Sequence, residues 1–258
     1  MNYLLTIDVG NTNTVFGLFY QEELKRSWRI ATKRDRTSDE LGVYLNNFIT
    51  SSGFDLKDVQ AVIYSSVVPT FNPILDRMIE EYYHCKPIKV TYDMKLPLKF
   101  LYPRPFELGA DRIVNAVGGI TIYGKDLIIV DLGTATTFCL IRENYYEGGV
   151  IAPGLKMSME VLHNRTALLP LVEFSKPPCG ILADSTVHSI QAGFFYGWVG
   201  LLKEIIHQLK NQYPSVHFQV IATGGLAGVI HKEVPELFDI VDKDLTLKGL
   251  KIIYDYQK

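Results

Sequence analysis

The chain has little cysteine, no surplus of charge and no long apolar run, and each shortage removes a class of function. Cys85, Cys139 and Cys179 are the only cysteines among 258 residues. They are odd in number and far apart, with no Cys-x-x-Cys, so they read as reduced thiols of a reducing compartment rather than a disulfide framework. The six histidines are scattered, with no His-x-x-x-His to suggest zinc. A formal charge of −2 argues against a nucleic-acid binder held by phosphate neutralisation. The one basic run, KRSWRIATKRDR at Lys25–Arg36, alternates with apolar and acidic residues and reads as a solvated strand and loop. No stretch approaches the roughly 18 apolar residues of a membrane span, and no basic-then-apolar leader opens the chain. The expectation is a cytoplasmic protein with neither nucleic-acid nor membrane partner. Two nucleotide motifs are also missing. There is no Gly-x-x-x-x-Gly-Lys-[Ser/Thr] P-loop, and no Gly-x-Gly-x-x-Gly opening a βαβ unit.

What is present is an ordinary apolar content of 47%, in a length comfortable for two domains of about 100–150 residues. One pattern occurs twice. IDVGNTNTVFG at Ile7–Gly17 and VDLGTATT at Val130–Thr137 share an apolar lead, Asp, an apolar residue, Gly and a Thr-rich run, about half a chain apart. Each stands in the same surroundings. Tyr3–Val9, Asn13–Tyr20 and Leu24–Ala31 read as a strand meander, as do Asp126–Gly133, Thr136–Glu143 and Tyr145–Ala152. Thr37 and Glu40 form a capping box for a helix over Asp39–Ser51, stopped by Gly53. A strand at Val59–Val68, a helix at Thr70–Tyr83 and a strand at Ile88–Thr91 complete the first half. In the second half, Ser185–Asn211 reads as a long helix and Val216–Gly225 as a buried strand. Leu245–Tyr254 fits helix and strand equally. The domain junction is expected in or beside the helical stretch Gly109–Tyr123.

A glycine two residues after Asp lets a phosphate approach, because no Cβ blocks it, and backbone N–H groups of such a turn cradle phosphate oxygens. Asn11, Thr12, Asn13 and Thr14 in one loop, and Thr134, Thr136 and Thr137 in the other, add neutral donors. Asp8 and Asp131 repel phosphate unless a cation lies between. A single Asp-x-Gly is an ordinary hairpin turn. Two matched copies at symmetric positions point instead to a cation–nucleotide clamp in a cleft between duplicated domains. Thr223-Gly224-Gly225 after a strand is a weaker signal of close ligand approach. Gly109-Ala110-Asp111-Arg112, taken alone, is either a helix cap with a surface ion pair or a base beside a carboxylate-binding fork.

Together these segments resemble a known family. Asp8-Val9-Gly10-Asn11-Thr12-Asn13, Leu108-Gly109-Ala110-Asp111-Arg112, Val130–Thr137, Gly148–Gly154 and Thr223-Gly224-Gly225 occur in the order found in type III pantothenate kinases. Thr166-Ala167-x-Leu169-Pro170 and Ser185-Thr186-x-x-Ser189-Ile190-Gln191-x-Gly193 fit as well, so the resemblance spans nearly the whole chain. It implies the α/β fold of the acetate and sugar kinase/Hsp70/actin superfamily, with two similar actin-like (ribonuclease H-like) domains around an ATP cleft. Here these would be residues 1–115 with the first phosphate loop, and 116–258 with the second loop and the adenosine-side glycines. It implies transfer of the ATP γ-phosphoryl to pantothenate, the first step toward coenzyme A, by a homodimer whose pantothenate site borders the subunit interface.

Carried over position by position, the resemblance makes Asp8, Val9, Gly10, Asn11, Thr12, Asn13, Thr14 and Val15 the first phosphate loop, and Thr134 an ATP contact. Asp111 becomes the catalytic base. Tyr102, Gly109, Ala110, Asp111, Arg112 and Thr186 become pantothenate contacts. Asp131 becomes the ligand of a monovalent cation, K+ or NH4+, with Mg2+ accompanying ATP. Arg112 is our candidate partner for the pantothenate carboxylate. An unperturbed Asp titrates near pH 4 and is a weak base, which a loose phosphoryl-transfer transition state tolerates. The chain departs from the family at Ala192, where Ser is frequent. Two other readings use the same residues: a kinase or phosphatase of this fold acting on another small alcohol or on polyphosphate, and a nucleotide-gated regulator without turnover. The second would favour a lost base, and Asp111 is present.

Overall fold

The structure, a computed structural model, describes residues 2–258. The chain forms two compact units: the residues up to Ile122 together with Asp244–Lys258, and Tyr123–Lys243.

In the first unit, β1 (Tyr3–Val9), β2 (Asn13–Tyr20) and β3 (Glu23–Ala31) form the expected antiparallel meander. α1 (Ser38–Ser51) follows, with Thr37 and Glu40 closing the capping box. β4 (Val59–Ser66) pairs parallel to β1. It stops at Ser66, ahead of Pro69, which opens a 3-10 turn leading into α2 (Asn72–Tyr83). β5 (Ile88–Lys89) completes the sheet in the order β3-β2-β1-β4-β5. A two-residue strand, β6 (Lys99–Phe100), precedes α3 (Ala110–Ile122). Alternation along β1 divides its side chains. Tyr3, Leu5, Ile7 and Val9 enter a core with Leu41, Leu45 and Ile49 of α1 and Leu75, Met78 and Ile79 of α2. The opposite face is covered by α3 and by a helix from the far end of the chain.

The second unit repeats this plan. β7 (Leu127–Leu132), β8 (Ala135–Arg142) and β9 (Tyr145–Pro153) form an antiparallel meander. α4 (Leu155–Asn164) and the long α5 (Thr186–Asn211) follow. β10 (Gln219–Thr223) pairs parallel to β7, and after α6 (Ala227–Glu233) β11 (Ile240–Val241) pairs parallel to β10. Within the unit the order β9-β8-β7-β10-β11 matches that of the first sheet, which bears out the duplication. Ile128, Val130 and Leu132 of β7 pack with Phe195, Leu202 and Ile206 of α5.

The chain end resolves the segment that fits both periodicities. Leu245–Gln257 is a helix, α7, burying Leu245, Leu247, Leu250 and Ile253. It packs on α3 through glycines: a Cβ on Gly249 would lie 2.2 Å from the Val114 carbonyl oxygen, and one on Gly118 3.1 Å from that of Leu245. This differs from the sequence reading in two ways. The division falls at Ile122 rather than between residues 115 and 116, because α3 runs unbroken through that point. Residues 244–258 belong with the first unit rather than the second, because α7 buries its apolar face there.

Candidate active site

Asp8 is the penultimate residue of β1, in register with Val15 on β2 and Ser65 on β4. The Ser65 hydroxyl donates to its Oδ1 at 2.7 Å. Beyond it residues 10–13 turn, with the Gly10 N–H donating to the Asn13 carbonyl at 3.0 Å. Thr32, just past β3, ties this turn down. Its N–H donates to the Thr12 carbonyl at 2.9 Å, and its hydroxyl to that of Gly10 at 2.8 Å. Asn11, Thr12 and Asn13 are exposed, as a ligand-facing loop requires. Thr14 is buried, with its hydroxyl 2.8 Å from that of Thr32. Its side chain therefore braces the loop instead of facing solvent.

Asp111 lies in the first turn of α3, where its Oδ1 accepts the Arg112 N–H at 2.8 Å. Gly109 makes room for this carboxyl: a Cβ there would stand 2.4 Å from Asp111 Oδ1 and 3.3 Å from Val67 Cγ1. The fold brings Asp8 and Asp111 within electrostatic reach of each other. Burial lifts the Asp8 carboxyl to about 7; the Ser65 hydrogen bond opposes this, the negative charge of Asp111 adds to it, and Arg29 opposes it. Burial likewise raises Asp111, against the Arg112 N–H and guanidinium. Asp111 is thus a better base than an unperturbed Asp, contrary to the expectation of an ordinary carboxyl. Two desolvated carboxylates within electrostatic reach of each other suit a divalent cation that accompanies a polyphosphate, so the pair fits Mg2+ arriving with ATP.

In the second unit Asp131 occupies the position equivalent to Asp8, penultimate in β7 and in register with Thr137 and Thr223. The turn is one residue shorter, residues 133–135, with the Gly133 N–H donating to the Ala135 carbonyl at 3.1 Å. Here the loop is fixed by Gly154 after β9, whose added Cβ would lie 2.0 Å from the Thr134 carbonyl oxygen. Gly224, at φ +90°, leaves space at Asp131, since a Cβ there would sit 2.6 Å from Oδ1. A carboxylate oxygen beside an open turn is a donor set suited to a hard cation. Thr134 is exposed in this turn.

The sequence-derived residues therefore fall into two groups. Asp8–Val15, Tyr102 and Gly109–Arg112 belong to the first unit; Asp131, Thr134 and Thr186 belong to the second. A cavity of about 550 Å³, lined by Ser66, Tyr92, Phe106, Leu108, Gly109 and Ala110 among others, opens beside the start of α3. Tyr102 is half-buried and does not line it. Thr186 opens α5 on a mainly apolar groove with Leu162, Leu169, Ile190, Phe194 and Trp198. Sequence reasoning missed Ser65 and Thr32, which reach the first loop through strand register. The only available hint was the polar Ser65-Ser66 ending an apolar strand. One mixed cluster among the described residues, Cys179, Asp184 and His188, has metal-ligand side chains. Its Asp184 and His188 bond each other at 2.5 Å beside the positive end of α5, which disfavours a cation.

A family model described as type III pantothenate kinase matches residues 4–208. A type III pantothenate kinase from Geobacillus sp. (strain WCH70) is 47% identical over 253 residues, covering 98% of this chain and 97% of the relative. Among solved structures, a Campylobacter jejuni protein assigned to the Baf family of transcriptional activators aligns at TM-score 0.62 and 22% identity over 98% of both chains. A ROK family glucokinase from Streptomyces griseus, solved with glucose and AMPPNP, aligns at TM-score 0.51 and 13% identity over 98% of both chains. These two show the fold alone, which is the two-domain actin-like one expected from the duplicated sheets. The sequence matches carry more. With 47% identity over nearly the full length and the family model matching most of the chain, the chain belongs to the type III pantothenate kinase family.

Proposed function

We infer that the chain is a kinase that transfers the γ-phosphoryl group of ATP to the primary hydroxyl of pantothenate, giving 4'-phosphopantothenate for coenzyme A synthesis. The observation that carries this reading is the pairing of Asp8 and Asp111 within one unit, at the end of a glycine turn. The exposed turn 10–13 presents backbone and amide donors to the phosphates, with Thr134 of the other turn as a further ATP contact. Asp111 orients the pantothenate hydroxyl and takes its proton as the phosphoryl group leaves ADP; its raised pKa suits this task at neutral pH. Mg2+ bound with ATP supplies charge neutralisation at the β- and γ-phosphates. Tyr102, Gly109, Ala110, Arg112 and Thr186 hold pantothenate, with Arg112 opposite its carboxylate. Asp131 holds K+ or NH4+, which offsets repulsion between this carboxylate and the nucleotide.

We also propose a homodimer, joined over the apolar groove of α5. The groove is lined mainly by Leu162, Leu169, Ile190, Phe194, Trp198 and Leu201, and an apolar face of this kind favours burial against another surface. No helix among the described residues is long and apolar enough to cross a membrane.

The test is a coupled ADP-release assay with pantothenate and Mg·ATP, comparing wild type with Asp111→Asn. Wild type turns over, and the folded variant loses about 10²–10⁴-fold in kcat. A folded Asp111→Asn protein keeping more than a tenth of wild-type kcat would remove Asp111 from the role of base. Absence of pantothenate-dependent ADP release by wild type would overturn the reading itself.

A further inference from the structure

The phosphate-facing stretches Ile7–Gly17, Val130–Ile141 and Thr223–Gly228 contain no Lys and no Arg. A polyphosphate site in this fold needs positive charge from elsewhere, and strand register supplies one candidate. Asp8 pairs with Val15 on β2, and Val15 pairs with Arg29 on β3. Directly opposed residues project from the same face of a sheet, and adjacent strands lie about 4.8 Å apart. Arg29 is therefore two strands from Asp8 on the same face, with only Val15 between.

The neighbouring row shows why this place is open. Thr6, Gly17 and Ser27 precede it on that face, and α7 closes them: a Cβ on Gly17 would lie 3.0 Å from Leu247 Cδ1. The row of Asp8 and Arg29 is the next one toward the carboxyl end of β1, the end at which open α/β sheets take their ligands. Arg29 is exposed and makes no hydrogen bond or ion pair among the described residues. It nonetheless opposes the rise in the Asp8 pKa, so its charge is felt at that carboxyl.

We propose that Arg29 is the cationic side chain that receives the β- and γ-phosphates of ATP beside Asp8, in the place a P-loop gives to its lysine. This rests on the kinase reading above and adds a binding residue to it. A guanidinium suits the task, because its fixed fork of donors matches phosphate oxygens and stays charged at any working pH.

The test measures nucleotide affinity without pantothenate. ATP and AMP compete with a fluorescent ATP analogue, in Mg2+ buffer, for wild type, Arg29→Gln, Arg29→Lys and Arg26→Gln. Arg29→Gln should weaken ATP at least fivefold more than AMP, because AMP lacks the β- and γ-phosphates. Arg29→Lys should recover part of the loss. Arg26→Gln, which removes the same charge from the other face of β3, should leave both affinities unchanged. Equal weakening of ATP and AMP, or no weakening, overturns the proposal. Wild type binding ATP but not phosphorylating pantothenate would sink the kinase reading and leave the role of Arg29 standing.

Discussion

Asp8 and Asp111 carry opposing demands. In the proposed reaction each must be charged to work, yet each is held where burial favours the neutral acid. The folded-state pKa of Asp8, about 7, lies above its unfolded value near 3.8. The folded chain therefore keeps a proton that the unfolded chain releases. This stabilisation is full below about pH 4 and is lost as pH rises through 7. Asp8→Asn, which cannot ionise, should then be more stable than wild type in the ligand-free state. The gap in melting temperature should widen between pH 4 and pH 7 and level off above, while activity is lost. A gap independent of pH would show that Asp8 is not held protonated. Gly109→Ala makes the complementary test. Its Cβ takes the space of Asp111 Oδ1 at 2.4 Å, so this carboxyl, the proposed base, must move. A misplacement of about 1 Å costs on the order of 10²-fold, so kcat should fall by about that factor while the KM for ATP holds. A normal kcat would show that the base adapts. Asp8 and Asp131 were legible in the sequence because their motif is doubled. Ser65 and Arg29 were not, because their nearness to Asp8 depends on which strands pair, and no local pattern records that.

At the level of elements the sequence was most informative where a short apolar run is buried on both faces. β1 and β2 fall at the bounds read from their apolar runs, and α5 starts one residue after its expected Ser185, which serves as N-cap. The strand expected over Val216–Gly225 shrinks to Gln219–Thr223, because Val216 closes a turn onto the Tyr213 carbonyl and Gly224 takes a left-handed conformation. Leu245–Tyr254 was undecidable locally: its apolar residues satisfy both periods, and the choice is made by the surface of α3. That surface yields a prediction. Gly249→Ala places a methyl group 2.2 Å from a backbone oxygen of α3 that no rotamer change can move. Overpacking of this kind costs about 1–3 kcal/mol. Urea unfolding should show a loss in that range together with reduced kcat, since α3 carries Asp111. Wild-type stability would mean the helices separate without penalty.

For the whole molecule, charge and association make two further tests. The chain is slightly acidic and meets a nucleotide of charge about −4. Opposed unit charges about 4 Å apart still interact by several kcal/mol at intermediate dielectric. In buffer whose only monovalent cation is bulky and organic, saturating Mg·ATP should support little turnover, and K+ should restore it. Asp131→Ala should erase that response; full activity without K+ would remove the cation from the site. Phe194→Glu puts a charge into the apolar groove of α5. It should turn a dimer into a monomer in sedimentation velocity, and an unchanged dimer would place the interface elsewhere.

The return of α7 to the first unit also sets a schedule for synthesis. Tyr123–Lys243 is continuous and can complete its own sheet as it emerges. The earlier-made sheet cannot, because Leu4, Phe19 and Ile63 lie on the face that α7 helps to cover. At about 5–20 residues per second, that face waits roughly ten seconds for its last helix. The part of the protein translated first is therefore finished last. Through that interval the nascent chain offers a greasy patch to any holdase nearby.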